Sequence, residues 1–325
     1  MARRPAVTVA VPVLNGGPLL TETLTAATAQ RVEGPVELLV ADSGSTDGSP
    51  ERAEEAGARI LEVPAGEFSH GGTRNLLMQE ARGDHVAFLT QDSTPADAAW
   101  LSRLLEGFAL GERVGLVFGP YHARPGASPM VRRELADWFA SFSPDGRPRL
   151  DLAAERADSR AALERRLFFT DANGCVSRRA WEQVPFRPVA YAEDQLLAHD
   201  MLTAGWGKAY HPAAAVLHSH DYTLGALLRR VFDESRALRE IRGHRADYGP
   251  RRGALVVQRH VRDDLALLRR EGAPLGRRAA LVPRSTAHHG ARTLGELLGT
   301  RSDRLPARLR RALSLEGRGG FDPLC

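Results

Sequence analysis

The sequence predicts an α/β fold, a mostly parallel central sheet with helices on both faces, followed by a C-terminal helical region. Three observations predict it. Short β-rich apolar runs alternate with helical patterns from the N-terminus to about residue 220, the pattern of strands joined by crossover helices. Beyond Tyr222 the strand signals fade and amphipathic helical periodicity replaces them. Charge divides at the same place: residues 1–222 carry 22 basic and 29 acidic side chains, residues 223–325 carry 22 and 11, within an overall charge of +4. We therefore divide the chain into 1–222 and a basic, mainly helical 223–325.

The elements follow in order. VTVAVPVL (7–14) reads as a first strand, PLLTETLTAATAQ as a helix, VELLVADS (36–43) as a second strand and SPERAEEAGA as a second helix. RILEVP, a helix near 73–82 and HVAFLTQD (85–92) continue the alternation. Pro18 after Gly17, and Ser49 before Pro50, mark helix starts just past strand ends. These loops open on the carboxyl edge of the sheet, where open α/β sheets bind ligands. Val114 to Tyr121 is another strand; Arg124 to Arg166 is polar, Arg-rich and irregular, the composition of a lid or insertion. FFTDANGCVSRRAW (168–181), a helix from Asp194 to Ala204 and one strand KAYHPAAAVLHSH (208–220) complete the first region.

A chain of 325 residues with 43% hydrophobic side chains can bury a substantial core. No apolar run approaches the roughly 18 residues of a membrane span. The opening MARRPAVTVAVPVLNGG imitates a secretory signal, but its apolar run ends at Leu14 and Glu22 intervenes before the ATA at 27–29, so a first strand fits better. Two cysteines, Cys175 and Cys325, make no disulfide framework and suit a reducing cytosol. Lys208 is the one lysine, so arginines are not individually diagnostic.

Several short stretches could carry chemistry. Asp42 closes the second strand and opens ADSGSTDGS, a Gly- and Ser-rich loop with backbone N–H groups to offer; Asp42 and Asp47 serve equally well as turn caps. EFSHGGTRN (67–75) sets two glycines, His70, Arg74 and Asn75 at a helix start, a combination suited to phosphate. Asp92, at the strand end with Gln91 before it and Pro95 after, is placed to meet a divalent cation on a diphosphate, or to be a solvated turn residue. In HSHDY (218–222) an extended chain points His218 and His220 to one face, as metal or phosphate ligands or as structural residues. His288 and His289 have no carboxylate near them in sequence and are assigned no function. AEDQLLAHDML places Glu193 and Asp194 at a helix start, where one of the two faces a pocket as a general base or both act as caps.

VPVLN, VADSGSTDGS, GGTRN, TQDS, NGCVSRRAW, AEDQ and HSH, in that order, resemble the inverting family-2 glycosyltransferases. FSHGGTRN with FLTQD, and the ending LGTRSDRLPARLRRALS, resemble bacterial rhamnosyltransferases within that family. The resemblance implies a nucleotide-sugar-binding fold of the A type and a dTDP-rhamnose donor, with another nucleotide-sugar as the alternative. It implies that Asp42 binds the nucleobase, with Pro12 to Asn15 as pocket wall and Ser45 beside them, and that Arg74 lies by the ribose or diphosphate. Asp92 matches the last aspartate of the family's acidic metal motif, whose first aspartate is replaced by Gln91, which can still hydrogen-bond the ribose or sugar of the donor. A divalent cation, Mg2+ or Mn2+, is implied on Asp92 with His218 or His220. Asp194 matches the catalytic base; Asn173, Gly174 and Trp181 match the segment shaping the sugar and acceptor side, on which Glu193 is also placed.

The expected reaction is a single displacement onto a glycan, lipid-linked or small-molecule acceptor. A nucleotidyltransferase of related fold normally presents a lysine-bearing Gly-rich loop after its first strand, which VPVLNGGPLL lacks. A non-catalytic basic module binding nucleic acid has no zinc-finger or RNA-binding signature in its favour, so no nucleic-acid partner is expected. The basic C-terminal region suits peripheral contact with an anionic inner-membrane face from the cytoplasm, or a solvated helical appendage that helps form a homodimer.

Overall fold

The structure, a computed structural model, describes residues 5, 7–64, 66–152, 159–189, 191–246, 248–315 and 317; Cys325 lies outside them. It opens with β1 (Val7–Val13), α1 (Gly17–Thr28), β2 (Val36–Asp42), α2 (Ser49–Glu55), β3 (Arg59–Glu62), α3 (His70–Glu80) and β4 (His85–Leu89). Next come β5 (Thr94–Pro95), α4 (Trp100–Gly107), β6 (Val114–Phe118), β7 (Tyr121–His122), α5 (Pro129–Ala140), β8 (Arg149–Asp151) and α6 (Arg160–Leu167). Then follow β9 (Asn173–Ser177), α7 (Arg178–Trp181), α8 (Glu193–Thr203), β10 (Gly207–Tyr210) and β11 (Val216–Leu217). The helices α9 (Leu224–Arg242), α10 (Pro250–Arg270), α11 (Leu275–Gly299) and α12 (Ala307–Leu313) complete the chain.

Two compact units result. The first comprises Met1–Arg124, Leu135–Pro188 and Glu193–Ser219; the second comprises Pro125–Glu134, Val189–Ala192 and His220–Cys325. The sequence suggested one break near 222, whereas the second unit also takes two short excursions from the middle of the chain.

In the first unit the main sheet has strand order β3-β2-β1-β4-β9-β6-β10-β8. Parallel pairing joins β1 to β2 and β4, β2 to β3, and β6 to β10, whereas β9 runs antiparallel between β4 and β6 and β8 runs antiparallel on β10. The result is a mixed sheet. One face buries Val9, Val11, Leu20, Leu24, Trp100 and Leu104. The other buries Phe88, Phe118, Phe169, Val176, Leu197 and Met201. Core on both faces explains why β1, β2, β4 and β6 are nearly continuous apolar runs rather than alternating ones.

Three sequence expectations are corrected. The Arg124–Arg166 region contributes helix α5 and, through β8, an edge strand of the sheet. The strand expected over 208–220 is broken: β10 stays in the main sheet, and β11 pairs with β5 and β7 in a separate three-stranded sheet. Pro212 supplies the break, since a proline offers no ladder donor. The adjacent His288 and His289 lie within α11 and are buried, in contact with carboxylates distant in sequence.

In the second unit α11 packs against α9 and α10. Gly295 and Gly299, one helical turn apart on α11, permit the approach to α9: a Cβ at either would stand 2.6 Å from Leu228 O or 2.5 Å from Phe232 O. Met130, Leu268 and Leu281 form a small apolar core there.

Candidate functional site

The carboxyl ends of β1, β2 and β4 form one side of the site. Beyond β1 the chain turns through Asn15 and Gly17, both at positive φ (51° and 57°). Side chains from neighbouring loops hold this turn: Leu14 N–H donates to Gln91 Oε1 (2.9 Å), Asn15 N–H to Ser45 Oγ (2.8 Å), Gly16 N–H to Ser49 Oγ (2.9 Å) and Gly17 N–H to Asp47 Oδ2 (2.9 Å). Asn15 returns the favour by accepting from Thr46 N–H (2.9 Å) through Oδ1. Gln91, which stands where the motif usually has an acid, thus has a local task in bracing the loop after β1. Pro12 sits in register with Ala41, one residue before Asp42.

Asp42 is buried at the end of β2. Its Oδ2 accepts from Gly44 N–H and Ser45 N–H (both 3.0 Å), while Oδ1 is buried with no hydrogen-bond partner. An unsatisfied buried carboxylate oxygen costs about 1–3 kcal/mol or more. A cleft of about 770 Å³ opens beside it, lined by Asp42, Gly44, Ile60, Glu62, Val63 and Pro64.

Asp92 and His218 are brought together by the small sheet. Leu217 of β11 is paired antiparallel with Thr94 of β5, so the residues flanking those strands converge. His218 Nδ1 lies 3.5 Å from Asp92 Oδ1, which also accepts from Thr90 Oγ1 (2.8 Å). The His218 ring packs edge-on against Tyr121, with centroids 4.9 Å apart. Arg124 braces the same turn, donating to the Asp92 carbonyl (2.9 Å) and to Thr94 Oγ1 (2.7 Å) while pairing with Glu22 (3.0 Å). A carboxylate oxygen and an imidazole nitrogen turned toward each other are a donor set that Mg2+ or Mn2+ accepts, Mn2+ tolerating the nitrogen better. His220, the first residue of the second unit's C-terminal segment, is exposed and stacks on Tyr222 (5.3 Å).

The third group is a buried acidic cluster around Arg74. Expected at the ribose or diphosphate, Arg74 instead turns inward. Its guanidinium pairs with Asp171, lies 3.2 Å from Glu193 Oε1 and donates to the His70 carbonyl (3.0 Å). The physical reason is packing: Ser69 caps α3 by accepting from Gly72 N–H (3.1 Å), and a Cβ at Gly71 would collide with Arg187 O at 2.2 Å. The glycines thus serve close packing, and three carboxylates attract the guanidinium. His70 Nδ1 lies 3.9 Å from Glu193.

This arrangement splits the carboxylates. Burial, opposed by Arg74 and reinforced by Glu193, pushes Asp171 up to about 7. Burial acts against Glu193 too, but Arg74 and then His70 hold it below its ordinary value. Asp194, the next residue, is pushed well above the usual carboxylate range by burial and by the charges of Asp171 and Glu193, with Arg74 pulling the other way. Gln195 N–H donates to Asp194 Oδ1 (2.7 Å) at the start of α8. Because Leu89 of β4 pairs with Asn173 of β9, Asp171 and Asp92 leave the sheet at the same edge.

Asn173, Gly174 and Trp181, expected on the sugar and acceptor side, are held in the framework. Asn173 is fully buried, donating to Pro120 O (3.0 Å) and Ala214 O (2.8 Å) and accepting from Trp100 Nε1–H (2.7 Å), so its amide has little left for a substrate. A Cβ at Gly174 would meet Thr170 O at 2.3 Å. Trp181 donates to Asn75 Oδ1 (2.8 Å), anchoring α7 to α3. Sequence reasoning missed Asp171, although it lies in the quoted FFTDANG stretch; its role appears only through Arg74.

Comparison with known proteins agrees with this architecture. The chain is 29% identical over 231 residues to the O-antigen chain rhamnosyltransferase RfbN of Salmonella typhimurium, covering 70% of each protein. It is 28% identical over 232 residues to the O-antigen chain rhamnosyltransferase WbaN of Salmonella anatum, covering 70% of this chain and 71% of that one. Among solved structures, the mannosyltransferase PcManGT of Pyrobaculum calidifontis, in complex with GDP-Man and Mn2+, superposes with a TM-score of 0.58 at 18% identity, covering 92% of this chain and 86% of that one. The fold is therefore the A-type glycosyltransferase fold with a C-terminal helical region. The Glycosyl transferase family 2 profile matches residues 8–171, half of the chain, and the protein belongs to that family of glycosyltransferases.

Proposed function

We propose that this glycosyltransferase moves rhamnose from dTDP-rhamnose onto a growing polysaccharide chain, with inversion at the anomeric carbon. The observation that carries the mechanism is the unequal treatment of three neighbouring carboxylates. Glu193 keeps its charge beside Arg74, and Asp194 is made more basic. A general base needs that combination of fixed position and raised basicity. The rhamnose assignment rests on the two Salmonella relatives named above.

In this reading Asp42 receives a donor N–H of the nucleobase on its unpartnered Oδ1, inside the cleft beside β2 and β3. Asp194 takes the proton of the acceptor hydroxyl as that oxygen forms its bond to the anomeric carbon and the bond to the diphosphate breaks. Glu193 and Arg74 fix the start of α8 and so the direction in which Asp194 points. Asp92 and His218 would hold Mg2+ or Mn2+, with His220 following in the same segment. Such a cation, when bound, neutralises the charge that builds on the leaving diphosphate.

The basic 223–325 region is proposed to rest on an anionic membrane face from the cytoplasmic side. Its net charge of +11 and the exposed Leu255 and Leu275 support this, and among the described residues no helix is long and apolar enough to cross a membrane.

Incubation with a panel of nucleotide-sugars, a polysaccharide acceptor and Mn2+, read as nucleoside diphosphate release, tests the assignment. The expected result is the highest kcat/KM with dTDP-rhamnose. Preference for a UDP- or GDP-linked sugar would replace the donor and leave the family unchanged. In the same assay Asp92→Asn and His218→Ala should each raise the Mn2+ concentration needed for half-maximal release.

A further inference from the structure

The second unit contains a cluster of titratable side chains of its own. Glu134, from the first half of α5, faces both adjacent histidines of α11: His288 Nε2 and His289 Nδ1 each lie 3.3 Å from its carboxylate. Neighbouring residues on a helix diverge by about 100°, so two successive imidazoles converge on one carboxylate only if the surroundings aim them. The aiming group for His289 is visible. Its other nitrogen, Nε2, is 2.8 Å from Asp264 Oδ2 on α10. Asp264 is fully buried and is itself held by Ser285 Oγ–H (2.6 Å) and Arg133 Nε–H (2.5 Å). The His260 ring stacks on His289 at 4.7 Å, fixing its plane.

We propose that Glu134, His288 and His289 form a zinc-binding site that ties α5, α10 and α11 together. One ligand atom from each lies within 4.8 Å of the others, a spacing that one ion can span. Two imidazoles and one carboxylate are a common three-ligand protein set for Zn2+, water completing the tetrahedron, and a harder ion such as Mg2+ is a poorer match. Asp264 then plays the outer-shell part, accepting the second ring proton of a metal-bound histidine and raising its basicity. Charge is consistent: Zn2+ is neutralised by Glu134 and Asp264. The opposing groups are Arg133, which is already paired with Asp264, and Arg292, whose Nε lies 3.2 Å from Glu134 Oε1. Arg292 is 42% exposed, so it can turn toward water when an ion arrives. Without metal, His289 between two carboxylates is an ordinary imidazolium bridge, and this is the competing state.

The test uses the full chain carrying Asp92→Ala, which removes the donor-site carboxylate from the count. After chelator treatment it is titrated with Co2+, a spectroscopic substitute for Zn2+, and then with Zn2+. The expected result is one equivalent of Co2+ with the visible absorption of a low-coordinate site, displaced by Zn2+. Adding His288→Ala, which removes one of the three ligands, should weaken binding at least about tenfold. Adding Arg292→Ala should tighten it, because a competing cation is gone. No visible Co2+ spectrum, or a spectrum unchanged by His288→Ala, would overturn the proposal. If His288→Ala alters the far-UV circular dichroism, the Arg292→Ala variant decides: unchanged or weaker binding there would also overturn it.

Discussion

Arg74 Nη1 lies 3.2 Å from Glu193 Oε1, both side chains buried, and this pair stands immediately beside Asp194. It gives one carboxylate a permanent partner and leaves the next one raised above its ordinary range by burial and by like charge. Removing one member of a buried pair leaves an uncompensated charge, at a cost of about 3–5 kcal/mol. Arg74→Met should therefore lower the stability measured by urea unfolding by that order. It should also move the acid limb of activity to higher pH, since Arg74 is the group pulling Asp194 downward.

Asp194→Asn should reduce kcat by about 10²- to 10⁴-fold, the usual share of general-base assistance. Donor binding, measured by calorimetry, should persist; loss of binding together with turnover would count against a base role. A base works only when ionised, so wild-type activity should fall as pH drops through the raised Asp194 value. That limb should lie above the range of an ordinary aspartate.

The same cluster makes stability depend on pH. Asp171 is raised to about 7 in the fold, against roughly 3.9 for an unfolded aspartate. A raised folded value means its contribution is fully present below about 3.9 and lost as pH rises through about 7. Glu193, lowered in the fold, acts in the opposite sense: its contribution is lost only as pH falls through its depressed value. In Asp171→Asn, the change of urea midpoint between about pH 5 and 8 should shrink; an unaltered slope would show that Asp171 is not the titrating group.

Asn173 separates a framework role from a substrate role. Asn173→Ala would leave Trp100 Nε1–H, Pro120 O and Ala214 O without this partner, at about 1–3 kcal/mol for each unsatisfied group. The expected outcome is a lowered melting temperature with acceptor KM nearly unchanged. A raised KM at unchanged melting temperature would return Asn173 to the acceptor side.

The basic region makes a separate prediction. The protein should float with vesicles containing anionic phospholipid and not with neutral ones, and raising salt should release it, since screening weakens surface attraction. Failure to float at moderate salt would leave 223–325 as a solvated appendage.

The order of strands and helices through β4 was legible because it depends on local pattern: apolar runs, caps such as Ser49–Pro50, and glycine turns. Asp42, Asp92 and the pair His218 and His220 were likewise legible as strand-end residues that could carry chemistry. What each residue touches was not, because those partners come from distant segments. Local pattern gave Arg74 a helix start and suggested a phosphate; the fold supplied Asp171 and Glu193 as its partners. The same holds for His288 and His289, which have no acidic neighbour in sequence and gain Glu134 and Asp264 only when three helices pack. The sequence by itself determined the α/β alternation, the sheet edge at which Asp42 and Asp92 stand and the family of the enzyme. Only the tertiary structure decided which charges share a low-dielectric interior, and there proximity in space sets protonation and partnership.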